Sequence, residues 1–440
     1  MQLRKVALDL QLFNVDRKFL KKYFSAMKNI IVWIIALALS PYIFAEAIKI
    51  DPSQEKDMWN SAWTRFFSPK TDVFYDLIVS LNPENSLDFV PTAEQIKKLA
   101  PANPNGYGTG MEDGMILGGI MMCVVLDKYE VTKDASLKKY ADAIVRGMAR
   151  CSLSPKARGF VARAVSTSDG KSFFPATSRD QYTHCIHGLW KYYNSPLSTA
   201  ADKKVIAEIC AAVADRMIEK MTPATKYDAQ NADGKPSTFG LSRMWNVSAH
   251  EAARLPMIYA VAHLVTGDKK YLEEYKKYAK ESISQSANFD RNMAPWAQFQ
   301  MQISLEAMLS FAESESEKNT IRRIMGDVSA LAAKRLASAS NALSDPKLDL
   351  TSPLPNPQER PIQPNGKPDM REFKNIMRAP RYFGEMALTM LVRGAEDFDA
   401  KSARLLAKPI EKIDYDKMSS CAVIFHLAAY WNAKKSGIIE

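Results

Sequence analysis

The sequence predicts an all-α domain of six antiparallel helical hairpins set as an inner and an outer ring. Three observations lead there. Apolar residues recur at helical spacing along the chain after residue 48, and no stretch shows convincing strand alternation. The helices come in pairs joined by links of a few residues, "VTKD", "SPLS", "TGD", "ESES" and "AED". Within a pair the first helix is apolar on most sides, as in "MILGGIMMCVVL", and the second is amphipathic, as in "KKYLEEYKKYAKE". A helix apolar all round is buried and one with a charged face meets solvent, so first helices form the inner ring.

Taken in order, the spacing predicts hairpins over residues 113–130 and 135–150, 180–194 and 199–221, 249–265 and 269–286, 297–312 and 317–340, and 383–394 and 398–413. A helix over 54–67 opens the domain and one over 418–435 closes it, and paired together they make a sixth hairpin. Two hairpins echo each other, "LDKYEVTKDASLKKYADAI" and "AHLVTGDKKYLEEYKKYAK". The connections are unequal: those leading into inner helices are long, at 151–177, 222–247 and 341–382, the last holding six prolines in "TSPLPNPQERPIQPNGKP". Long connections in a compact domain usually carry function, and these fall on the face where inner helices begin.

Residues 27–47, "MKNIIVWIIALALSPYIFAEA", have the layout of a secretory signal peptide: a lysine, a short apolar core, a proline, and a small-x-small exit. The apolar run is shorter than the roughly 20 residues of a spanning helix, so membrane contact is expected only through an uncleaved segment. The reading is a secreted or periplasmic protein with an extension at 1–47 and one domain at 48–440. Removing 1–47 takes away seven basic and three acidic residues, so the formal charge falls from +10 to +6. That mild excess suits an acidic polysaccharide better than nucleic acid, or an ordinary lysine-rich surface. Cys123, Cys151, Cys185, Cys210 and Cys421 form no C-x-x-C pair, which argues against a disulfide framework or structural zinc. Cys123, Cys185 and Cys210 sit within apolar helical patterns and read as small core residues.

Six hairpins with long loops at the inner-helix starts resemble the (α/α)6 toroid of the six-hairpin glycosidases and related uronic-acid polysaccharide lyases. The "TGDKKYLE" turn and the Glu112-Asp113 pair are local echoes, and no motif selects one family. The resemblance implies a carbohydrate-active enzyme without a cofactor, acting on a polysaccharide or oligosaccharide; fold alone does not give the reaction.

The inner-helix starts supply the candidates. "NGYGTGMEDGM" offers Glu112 and Asp113, and paired carboxyls are what glycoside hydrolysis requires; Thr109-x-x-Glu112 also reads as a capping box. "TSRDQYTHCIHGLW" offers Arg179, Asp180, Gln181, Tyr182, His184 and His187. Ser178-x-x-Gln181 again reads as a cap, and Asp180, His184 and His187 share one helical face. His-x-x-His could bind metal, but no third ligand stands at a recognised spacing. "RMWNVSAHEAARLP" offers Trp245, Asn246, His250 and Arg254, with Ser248-x-x-Glu251 as a third capping pattern; Asn246-Val-Ser also matches a glycosylation sequon. Trp296, Gln298 and Gln300 in the fourth start are binding groups, and the fifth brings Arg378, Arg381, Tyr382 and Glu385 to a helix beginning that favours anions.

Two mechanisms compete. A hydrolase would set Glu112 or Asp113 as acid across from Asp180. A lyase would use Arg179, Gln181, Asn246 or Arg381 to neutralise a uronate carboxylate, with Tyr182, His184, His250 or Tyr382 moving the proton. The leading Glu-Asp pair favours hydrolysis. A non-catalytic glycan-binding protein on the same scaffold is the third reading.

Overall fold

The computed structural model describes residues 48–345, 350 and 374–440. The signal-like segment and the proline-rich run lie outside the described residues. In chain order the helices are α1 (Pro52–Ser61), α2 (Ala93–Leu99), α3 (Gly114–Thr132), α4 (Lys138–Ser152), α5 (Arg179–Tyr193), α6 (Ala200–Lys220) and α7 (Arg254–Thr266). They continue with α8 (Lys269–Ser286), α9 (Pro295–Leu309), α10 (Glu315–Leu343), α11 (Ala379–Leu391), α12 (Ala400–Ile410) and α13 (Ala422–Lys435).

The odd-numbered helices from α3 to α13 form a closed inner ring, each touching the next and α13 touching α3. Named contacts close every joint. Between α3 and α5 the backbones meet at Gly119 and Gly188, where a Cβ on Gly119 would lie 2.2 Å from the carbonyl of His184; only glycine allows that approach. Arg254 of α7 reaches Asp180 of α5 and Gln300 of α9. Gln302 of α9 donates to the carbonyl of Thr389 on α11 at 3.0 Å. His426 of α13 bonds the carbonyl of Pro380 on α11 at 2.8 Å, and Lys435 of α13 reaches Asp127 of α3 at 2.5 Å. The outer helices α4, α6, α8 and α10 pair with the inner helices that precede them, as the alternation of apolar and amphipathic segments predicts, and α12 packs against α10.

The two ends of the domain make the sixth hairpin. Glu55 of α1 accepts from Trp431 of α13 at 3.1 Å and pairs with Lys128 at 2.6 Å, while the Lys128 ammonium sits over the Trp59 and Trp431 rings. Ile48 and Ile439 add a parallel bridge. The expected 54–67 helix is shorter than the spacing predicts, because Ala62–Phe66 form a single π turn before a small hairpin, β1 (Phe67–Ser68) with β2 (Val73–Phe74). Helix α2 was not anticipated: it buries only Ile96, so it carries almost no apolar stripe, although Thr92 and Gln95 cap it reciprocally.

Candidate functional site

The starts of α3, α5, α7, α9 and α11 surround one end of the ring. Here the capping patterns fail. Thr109 donates to the carbonyl of Gly106, the Glu112 carboxyl accepts from the Gly108 amide, and α3 begins only at Gly114. Gln181 reaches across to α3 instead, accepting from the Met115 amide at 3.2 Å and donating to the Glu112 carbonyl at 2.9 Å. Glu251 pairs with Arg179, and Ser248 makes no side-chain cap. True capping boxes stand at outer helices, Thr199 with Asp202 and Ser314 with Glu317. At the second and third inner starts Gln181 and Glu251 instead bond across to a neighbouring element, whereas Thr109 and Glu112 bond within their own loop.

Three carboxyls meet in front of α3. Asp76, just after β2, is buried and accepts the Glu112 amide at 2.9 Å. Asp113 receives Arg381 at 2.5 Å and Gln181 at 3.4 Å, with Arg163 at 3.9 Å. Arg163 itself, from the loop before α5, donates to the Glu112 carbonyl at 2.7 Å. Burial, reinforced by Asp76 and Asp113, raises Glu112 well above the ordinary carboxylic range, and burial beside Asp113 pushes Asp76 up to about 6. Like charges crowded out of water hold on to protons.

A second group faces them from α5. Asp180 is held by Arg254, which has no exposed surface and donates its other terminal nitrogen to Gln300 at 2.5 Å. Although burial opposes it, the Arg254 guanidinium draws the Asp180 pKa below its ordinary value. Glu385, one turn beyond Arg381 on α11, accepts from it at 2.8 Å; burial nonetheless pushes that carboxyl up to about 7, and its second oxygen has no partner. Tyr107, 49% exposed, stacks over the Arg163 guanidinium within the field of Glu112, Asp113 and Asp180. Beside Arg163 it leaves an aromatic surface open to solvent.

The sequence candidates therefore divide. Glu112, Asp113, Asp180, Gln181, Arg254 and Arg381 converge, and His184 lies at the edge of the group, where burial keeps it neutral. Arg179, at the rim, is committed to Glu251 and to the carbonyls of Gly240, Leu241 and Arg243, so it anchors the loop before α7 rather than waiting for substrate. His250 sits beside that pair and edge-on to Trp296, and burial lowers its pKa.

Four candidates lie elsewhere, while Asn246 serves a turn and Arg378 is exposed just ahead of α11. Tyr182 is fully buried between α5 and α6, near Val161 and Arg216. Trp245 is buried edge-on against Tyr278 of α8. Asn246 holds a left-handed backbone with φ of 54°, a conformation asparagine tolerates, so its presence is explained by a turn. His187 points to the opposite end of the ring and bonds Glu306 at 2.8 Å. Tyr382 lines a separate cavity with Arg335 and Met386.

Asp76, Arg163 and Tyr107 join the group without a warning in the sequence beyond the glycine-rich "NGYGTG" around Tyr107. Glu385 and Gln300 were visible as polar residues of inner starts. No cluster of three or more histidine, cysteine or acidic side chains with metal-binding geometry occurs among the described residues.

No family model matches the chain, and no curated protein does. Solved structures that it is similar to include an inactive variant of an alpha-1,6-mannanase from Salegentibacter in complex with alpha-1,6-mannotriose, at 13% identity over 77% of this chain and 99% of that one, with a TM-score of 0.34. Another is cellobiose 2-epimerase from Spirochaeta thermophila, at 10% identity over 88% and 98%, with a TM-score of 0.41. At those scores the ring geometry itself, not the likeness, carries the reading that follows.

Proposed function

We propose that the protein is a glycoside hydrolase acting on a polysaccharide or oligosaccharide at the inner-helix starts. The observation that carries this is the contrast between two carboxyls of the inner-helix starts, one crowded by other carboxyls and one paired with a buried guanidinium. Glu112, buried against Asp76 and Asp113, keeps a proton to give to the leaving oxygen. Asp180, paired with Arg254, stays ionised to act on water or on the anomeric carbon. Environments that push two carboxyls apart in pKa assign acid and base. Tyr107 supplies a sugar-stacking face.

Elimination from a uronate has less support, because it needs an uncommitted cation for the substrate carboxylate. Arg163, Arg179, Arg254 and Arg381 are all engaged by protein carboxylates or carbonyls, and Tyr182 is out of reach in the core. Incubation with a panel of neutral and uronate-containing polysaccharides tests the reading. New reducing ends without an ultraviolet-absorbing unsaturated product are expected; the unsaturated product would select the lyase, and binding without turnover the non-catalytic protein.

A further inference from the structure

The opposite end of the ring holds a cavity of about 360 Å³, lined by residues from the middle to the C-terminal ends of α3, α5, α9, α11 and α13. We propose that it is a second binding site, for a neutral, hydroxyl-rich small molecule of sugar size. The volume falls within the range of small-molecule pockets, roughly 300–1,000 Å³.

Its chemistry is distinct from that of the first site. Glu306 pairs with Lys191 and accepts from His187, while Asp127 pairs with Lys435 at 2.5 Å and accepts from Asn432 at 3.1 Å. Burial works against ionisation here too, yet Lys191 and His187 hold the Glu306 carboxyl down to about 2. A carboxylate can only accept, so the His187 Nε2 carries its hydrogen and leaves Nδ1 facing the Cys123 sulfur at 3.8 Å. Below this polar rim the wall is apolar, with Ile120, Phe299, Ile303 and Leu391. Glu130 and Asn194 line the cavity and are exposed, so it is reached from solvent at that end.

The pairing selects the ligand class. Lys191 and Lys435 each already hold a carboxylate, so an anion entering the cavity, or a cation seeking Glu306 or Asp127, would have to part an ion pair in a poorly solvated space, while Glu130 stands in solvent at the mouth. Hydroxyl groups bond ammonium and carboxylate together and leave both pairs intact, while the C–H face of a sugar covers the apolar wall. Cys123, which reads from sequence as a core residue, instead lies on this wall, whereas Cys151, Cys185, Cys210 and Cys421 are buried. The stripe predicted along α5 thus joins both ends of the ring. Asp180 faces the first site, His187 and Lys191 face the second, and His184 beside Phe299 lies between them.

Calorimetric titration of the full chain with glucose, galactose, maltose and sucrose, and with glucuronate and glucosamine as charged controls, tests this independently of the hydrolase reading. At least one neutral sugar is expected to bind with an affinity that Glu112→Gln and Asp180→Asn leave within about twofold. Lys435→Met and Val392→Trp should weaken it by about tenfold or more, the equivalent of ~1.4 kcal/mol. Lys435→Met removes one rim cation and Val392→Trp fills the cavity from a half-buried position, so failure of one variant to fold leaves the other. Heat from none of the neutral sugars, tighter binding of a charged control, or binding lost in Asp180→Asn but kept in Val392→Trp would each overturn the proposal.

Discussion

The two ends of the inner ring are both rich in buried charge, but they use it in opposite ways. At the starts of the helices, carboxyls outnumber their partners: Asp76, Glu112 and Asp113 crowd together, and Glu112 and Glu385 are raised by burial. At the C-terminal ends Glu306 and Asp127 each have a lysine; Glu306 is lowered to about 2, although burial still raises Asp127. Unbalanced charge stores protons that can be donated, whereas balanced charge holds a shape and offers hydrogen bonds. The first arrangement suits proton transfer and the second suits binding.

The largest effect that sharpens this contrast is catalytic. Asp180→Asn is expected to cut turnover by about 10²–10⁴, the usual contribution of a general base, measured as reducing ends released per unit time. The same comparison predicts the pH profile. Activity should rise as Asp180 ionises, at a pH below the ordinary aspartate value, and fall only as Glu112 loses its proton, well above the ordinary glutamate value.

Next in size is stability. Asp180→Ala leaves the fully buried Arg254 guanidinium without its carboxylate, and chemical denaturation should show a loss of about 3–5 kcal/mol, typical of a broken buried pair. Glu385 tests the crowded end differently. A carboxyl whose pKa is higher folded than unfolded binds its proton more tightly in the folded protein. Its penalty is therefore absent at low pH and grows as pH rises between the ordinary value of 4.5 and about 7. Melting temperature should fall across that window, and Glu385→Gln should flatten the fall.

Smaller effects belong to the rim and the surface. Tyr107→Ala should raise KM by about tenfold, ~1.4 kcal/mol, with little change in kcat. Arg158→Ala removes an ion pair with Glu208 in which both side chains are about half exposed, and the change in stability should stay within ~1 kcal/mol.

How much of this was legible in the sequence follows from the range of the interactions. Helix type depends on local periodicity, so the alternation of "MILGGIMMCVVL" with lysine-rich partners was enough to give inner and outer rings. Residues 269–286 match α8 at both ends. Helix α7 begins later than periodicity suggests because Ala249–Glu251 form a separate 3-10 turn.

The site was half legible. Polar residues at inner-helix starts, such as Asp113, Asp180 and Arg381, announce themselves by interrupting an apolar pattern. Their partners do not: Arg381 meets Asp113 across 268 positions of chain, and Arg163 arrives from a loop. The capping patterns misled for a related reason. Thr109 to Glu112, Ser178 to Gln181 and Ser248 to Glu251 have the right spacing, but Gln181 and Glu251 are taken by a neighbouring element, and Thr109 and Glu112 by the glycine-rich loop that precedes α3. His187 shared a face with Asp180, as the spacing required, yet two turns along the helix carried it to the other end of the ring.

The most direct test compares the ends through one pair of variants, Glu112→Gln and Glu306→Gln, by kcat/KM on whichever polysaccharide the wild type cleaves. If the crowded end performs the chemistry, Glu112→Gln loses at least about a hundredfold, and Glu306→Gln keeps activity near that of the wild type. Retained activity in Glu112→Gln, or an equal loss in both, would contradict the assignment of catalysis to the inner-helix starts.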